Sequence, residues 1–169
     1  MDYPKMSDEE LQATIYELKA RQDISNLMAD YWWYMDSKQW DKWGDIFTKD
    51  VQVILMGNDY GVESHEAWIK SNSEMLSSMI TCHQGHQSHV WFTSPTTATG
   101  RYVLNDKLTN IETGEVVMHG YGYYIDDYEK GDDGKWRIKV LRLGYFRTEN
   151  EGGVLSWTHK VEYDGLAVE

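Results

Sequence analysis

Apolar residues recur at spacings of three and four along Leu11, Ile15 and Leu18, then again along Ile24, Leu27, Met28 and Tyr31, the period of a helix that buries one side. Ahead of them, Ser7-Asp8-Glu9-Glu10 has the form of a capping box, with the Ser7 hydroxyl at the helix start and the Glu10 carboxylate reaching back. The pattern predicts a helix from this cap to about Tyr34, bending near Arg21. A short second helix follows Asp36-Ser37-Lys38. It sets Trp40, Trp43, Ile46 and Phe47 against Asp41, Lys42 and Asp45, and stops near Lys49-Asp50.

The period then changes to two. Val51 to Met56 is a β-branched apolar run, read as a strand, and Gly57-Asn58-Asp59-Tyr60-Gly61 is a turn into a brief second strand. Ser64 is placed to cap a third helix over 66–79, with Trp68, Ile69, Met75, Leu76 and Met79 on its apolar face. Four long strands are expected after it, at about 82–92, 97–109, 115–129 and 135–147. Their turns are Ser94-Pro95-Thr96, Glu112-Thr113-Gly114 and Gly131-Asp132-Asp133-Gly134. Long strands joined by short turns make an antiparallel meander. The order of elements suits an α+β cone, a curved, mostly antiparallel sheet wrapped around a long N-terminal helix with an apolar cavity at its open end.

Composition narrows the picture. A chain of 169 residues with 41% hydrophobic content suits one domain, spanning 1–169, in which 148–169 reads as a C-terminal tail over the cavity or a neighbouring subunit. Formal net charge is −12, which argues against a nucleic-acid backbone or an anionic membrane surface as partner. No apolar run is long enough to span a bilayer and no targeting segment is recognisable, so the expected compartment is cytoplasmic. Cys82 is the one cysteine, which excludes an intrachain disulfide and any site built on several thiolates. Eight tryptophans and twelve tyrosines serve either as packing area or as the walls of a cavity for a small hydrophobic molecule.

Three of the six histidines, His83, His86 and His89, fall in the nine residues Thr81 to His89. Histidine is the side chain best suited to take and return a proton near neutral pH. His83 and His86 differ by three positions, so a regular strand sends them to opposite faces unless Gly85 permits a bulge, whereas His89 shares parity with His83. A three-histidine metal site is the alternative this parity allows; the reading adopted has no metal and no cofactor. Asp36 ends an apolar helix, where the macrodipole disfavours a carboxylate and a compensating partner is expected. If that partner is one imidazole nitrogen of His83, the carboxylate fixes the tautomer and frees the other nitrogen as a base; otherwise Asp36 is a solvated turn residue. Tyr31 lies five residues earlier, about 140° around the helix, and is either a cavity donor or a core aromatic. His119, between Met118 and Gly120, is an equal candidate for cavity or packing. Trp33 and Tyr121 are read with His86 and His119 as lining a substrate site.

The order of elements resembles the nuclear-transport-factor-2-like superfamily, and the motifs resemble its SnoaL-like branch, closest to the bile-acid 7-alpha-dehydratases. The matching stretches are Tyr31-Trp32-Trp33-Tyr34-Met35-Asp36, His83-Gln84-Gly85-His86, Thr97-Ala98-Thr99-Gly100-Arg101-Tyr102, Asp127-Tyr128-Glu129-Lys130 and Gly144-Tyr145-Phe146-Arg147. The resemblance implies Tyr31, Asp36, His83 and Arg147 as catalytic residues. It further implies a homo-oligomer, trimer or dimer, joined through the outer sheet face. The Asp-His pair is shared with scytalone dehydratases and a dehydrochlorinase, and so implies elimination chemistry: a cofactor-independent dehydratase acting on a hydrophobic hydroxy-carbonyl compound. A cofactor-free ketosteroid-type isomerase or polyketide cyclase, a non-catalytic ligand-binding module and an interaction subunit are the alternatives.

Overall fold

The Ser7 hydroxyl accepts the Glu10 amide at 3.2 Å and the Glu10 carboxylate accepts the Ser7 amide at 2.7 Å, so the capping box opens helix α1, Asp8–Asp36. The computed structural model describes residues 5–56, 58–59 and 65–158. Within them follow α2 (Trp40–Gly44), β1 (Phe47–Leu55), β2 (Asn58–Asp59), α3 (His65–Leu76) and β3 (Met79–Ser94). The chain then continues through β4 (Thr97–Asn110), β5 (Val116–Lys130), β6 (Trp136–Asn150) and β7 (Gly153–Trp157). The proposed cap Ser64 and the turn residues Gly57, Tyr60 and Gly61 lie outside the described residues.

The architecture is α+β, an N-terminal helix against an open, mixed sheet in the order β2-β1-β6-β5-β4-β3. Strands β3 to β6 form the expected antiparallel meander. Helix α3 ends at Leu76, and Met79, read on its apolar face, opens β3 instead. Two features of the sheet also differ from the pattern reading. Phe47 begins a strand, because Phe47, Val51 and Val53 supply inward-facing apolar positions that pair in parallel with β6 from Ile138 onward. The segment read as a tail starts as the end of β6 and returns as β7, which pairs with Arg147–Asn150. Since β5 occupies one edge of β6 along most of its length, β1 and β7 share the other edge.

Helix α1 buries Ala20, Ile24, Met28, Tyr31 and Met35. Leu11, Ile15 and Leu18, counted in the same stripe from sequence, are 48–61% exposed. Ile15 lies nine residues before Ile24, about 180° around a helix at about 100° per residue, so the six-residue gap between Leu18 and Ile24 joins two different faces. Around the buried stripe, the inner sheet face is filled by Tyr102, Leu104, Tyr124, Tyr128, Ile138 and Leu141. Among the described residues no helix is long and apolar enough to cross a membrane.

Candidate active site

Helix α1 ends without a basic residue in its last turn, so the partial negative charge of its final carbonyls falls beside Asp36 unrelieved by the helix itself. Relief comes from strand β3. Asp36 Oδ1 lies 2.6 Å from His83 Nδ1, and Oδ2 accepts the His83 backbone N–H at 2.8 Å. The Thr81 hydroxyl donates to Oδ1 at 2.8 Å, and Lys38 Nζ donates to the Thr81 hydroxyl at 2.8 Å. Burial alone raises the Asp36 carboxyl; the donors from His83 and Thr81 outweigh it and hold the group below its ordinary value. An anionic Asp36 facing Nδ1 selects the imidazole form with the proton on Nδ1. The His83 side chain is 7% exposed, and its contacts with Asp36 run through Nδ1 and the backbone, which leaves Nε2 for other work.

The same face of the sheet carries a group that pattern reading did not single out. Asp106 on β4 is directly opposite His83 in the β3–β4 register, and Asp106 in turn faces Gly120 on β5. Side chains so paired stand about 5 Å apart at Cβ. Asp106 is 1% exposed; its Oδ2 accepts the Tyr145 hydroxyl at 2.6 Å, while Oδ1 has no hydrogen-bond partner among the described residues. Burial raises the Asp106 carboxyl above its ordinary value, against the opposing pull of Tyr145 and the nearby histidines. Gly120 makes this arrangement sterically possible, since a Cβ there would lie 2.1 Å from Asp106 Oδ1 and 2.4 Å from the Tyr145 ring.

Tyr31 belongs to the same interior but one turn deeper. The helix holds its geometry through Asp36, so Tyr31 points into the core, edge-on to Tyr124 at 5.7 Å and to Phe47 at 6.0 Å. Burial pushes its phenol well above the ordinary value, with Asp126, Asp106 and Asp36 adding to the rise. Trp32 leans over Gly85, where a Cβ would lie 1.8 Å from the indole ring. Gly85 therefore serves close packing of this indole against the strand that carries His83.

The structure does not bring the remaining predicted residues to the Asp36–His83 pair. His86 faces outward and is exposed. The register of β3 shifts between His86 and His89, with Gln87 at φ 53°, so one extra residue reverses the alternation and turns His89 outward despite its sequence parity with His83. The three histidines diverge, and among the described residues no three His, Cys, Asp or Glu side chains are grouped to hold a metal. His119 and Tyr121 alternate with the inward Gly120 and Gly122 and so lie on the outer face. There His119 Nε2 meets Asn105 Oδ1 at 3.0 Å and Tyr121 donates to Glu149 at 3.3 Å. Arg147, opposite Tyr121, donates from Nε to Glu149 at 2.7 Å on that same face. Trp33 is 65% exposed, on the side of α1 away from the sheet.

Several known proteins share this arrangement of elements. A protein from Novosphingobium aromaticivorans, provisionally described as a scytalone dehydratase, superposes with a TM-score of 0.74 at 24% identity, covering 81% of this chain and 91% of its own. A hexachlorocyclohexane dehydrochlorinase, LinA type 2, gives 0.69 at 19% identity over 90% of this chain and 99% of its own. A nuclear-transport-factor-2-like protein with a cystatin-like fold, also from Novosphingobium aromaticivorans, gives 0.69 at 17% identity over 84% and 92%. At these identities the likeness is one of fold. The family described as SnoaL-like domain matches residues 16–142, three quarters of the sequence, and the chain belongs to that family.

Proposed function

We propose that this protein is a cofactor-independent dehydratase, a carbon–oxygen lyase acting on a small hydrophobic hydroxy-carbonyl compound. The observation that carries the reading is the 2.6 Å contact between Asp36 Oδ1 and His83 Nδ1, which leaves Nε2 as a general base. In the proposed reaction Nε2 removes the proton made acidic by a neighbouring carbonyl or enone. The C–H electron pair forms the new double bond, the C–O bond breaks, and the departing hydroxide takes the Asp106 proton to leave as water. Asp106 suits the acid role because burial keeps its carboxyl protonated further up the pH scale. The proton on His83 then returns to Asp106, its cross-strand neighbour. Tyr31, whose raised phenol keeps its proton, is proposed to donate to the developing enolate oxygen. The motif resemblance to bile-acid 7-alpha-dehydratases supports a hydrophobic, polycyclic substrate.

A second reading, a subunit without catalysis, has one observation in its favour: the inner face is filled by the protein's own Tyr31, Trp32, Tyr102, Tyr124 and Tyr128. One experiment separates the two. Incubation with a panel of hydroxylated enones in deuterated water, read by mass spectrometry, is expected to yield product lighter by one water. A mass raised only by incorporated deuterium identifies an isomerase; no change in mass at all removes both catalytic readings.

The homo-oligomer, dimer or trimer, is proposed through the outer sheet face, where Ile80, Val103, Val117 and Phe146 are 37–57% exposed. Apolar side chains exposed on a sheet face are candidates for burial against a second copy. Light scattering is expected to give a multiple of the 19.8 kDa chain mass and a lower mass for Val103→Glu. A monomeric parent protein would remove the proposal.

A further inference from the structure

We propose that Lys38 and Thr81 are positioning residues that set the hydrogen-bonding strength of Asp36 toward His83. The chain of contacts runs from Lys38 Nζ to Thr81 Oγ1 at 2.8 Å, from Thr81 Oγ1 to Asp36 Oδ1 at 2.8 Å, and from Asp36 Oδ1 to His83 Nδ1 at 2.6 Å. An ammonium can only donate, and a hydroxyl has one proton. With Lys38 donating to Thr81, the Thr81 proton has one use left, the bond to Asp36. Lys38 therefore fixes the direction of the Thr81 hydroxyl, and Oδ1 is shared between Thr81 and His83.

The sequence spends conformational freedom on this contact. Lys38 is two residues past the end of α1 at φ 60°, in the left-handed region that favours glycine. A glycine there would close the helix as well and would carry no ammonium. The lysine turns back over the helix C-terminus, where a cation is favoured, and is partly desolvated between Thr81 and the Trp40 ring, 5.7 Å away. Strained conformations at non-glycine residues gather where the side chain has a task.

Sharing has a consequence of definite sign. Each donor on Oδ1 weakens the other's bond and lowers the basicity of the carboxylate. Removing the Thr81 hydroxyl, or freeing it to rotate by removing Lys38, raises the Asp36 carboxyl and strengthens its bond to His83. The titratable groups facing this pair are Lys38 from the α1–α2 turn, Asp106 from β4 and, through its phenol, Tyr31 from α1.

The inference rests on the proposal that Asp36 and His83 form the catalytic base, but its first readout needs no substrate. In Thr81→Val and Lys38→Met the His83 Nδ1 proton resonance is expected to move downfield. By carbon-13 NMR the Asp36 carboxyl is expected to titrate about 0.5–1 pH unit higher, the size of one lost charge-assisted hydrogen bond after solvent screening. Thr81→Ser, which retains the hydroxyl, is expected to restore both signals. If the protein is a dehydratase, the acid limb of its kcat/KM profile moves to higher pH in the same two variants. Unchanged signals in either folded variant would overturn the inference, as would a Thr81→Ser protein that behaves like Thr81→Val. Lys38→Met alters a partly exposed turn residue and decides alone if Thr81→Val does not fold. Because the NMR signals are read without turnover, absence of dehydratase activity leaves this test intact.

Discussion

His83→Ala is expected to lower kcat/KM for dehydration by about 10²–10⁴-fold, the contribution of a positioned general base. The side chain removed is the one whose Nδ1 is held at 2.6 Å by Asp36 and whose Nε2 is proposed to take the substrate proton. Asp36→Asn is expected to act in the same direction by a different route. The amide can turn its NH2 group toward Nδ1, which then accepts, and the ring proton moves to Nε2, where a base needs a lone pair. The fold should survive both changes, because Asp36 and His83 lie outside the buried apolar cluster around Ile24, Met28 and Tyr31. Circular dichroism checks the fold and steady-state kinetics the activity. Full elimination activity in both variants would remove the catalytic assignment.

Asp106→Asn is expected to separate activity from stability. The amide keeps the shape of the carboxyl and its acceptor for Tyr145, now 2.6 Å away, but has no acidic proton for the leaving hydroxide. A loss of about 10²–10⁴-fold in kcat/KM follows if Asp106 is the acid. Its effect on stability has the opposite sign. The Asp106 carboxyl is raised in the folded protein, so the folded state holds this proton more tightly than the unfolded chain. Its contribution to stability is fully present below the unfolded value and is lost as pH rises through the raised folded value. Above that value the wild-type protein must bury a charge, and Asp106→Asn need not. The variant is therefore expected to have the higher Tm at neutral to alkaline pH, with the difference shrinking as pH falls. A lower Tm throughout that range would show that ionised Asp106 is stabilised by its surroundings, against the role given to it here.

The capped start of α1 and the meander were legible because each follows from local rules; the partner of Asp36, His83, lies 47 positions away and is a tertiary contact toward which the family resemblance points. Ser7 and Glu10 cap α1 through contacts three residues apart, and turn residues space β3 to β6. Asp106 was not legible, and the reason is register. Counting back from Ser94 opposite Thr97, an unbroken hairpin pairs His83, eleven residues before Ser94, with Leu108, eleven residues after Thr97. Two single-residue shifts, one between Phe92 and Ser94 and one between His86 and His89, carry the partner to Asp106. The same second shift turned His89 to the outer face. Bulges of this kind answer to sheet curvature and to the packing of α1 beneath it, which no local pattern reports.

Sequence alone determined the element order as far as β6, the α+β class and a carboxylate at a helix end in need of a partner, because period, caps and turn chemistry are properties of neighbouring residues. Only the tertiary structure decided which side chains share the inner face. It set Asp106 beside His83 and linked Lys38 and Thr81 to Asp36. It also put His119, Tyr121 and Arg147 on the outer face, because strand register and bulge position are settled by contacts between residues far apart in the chain.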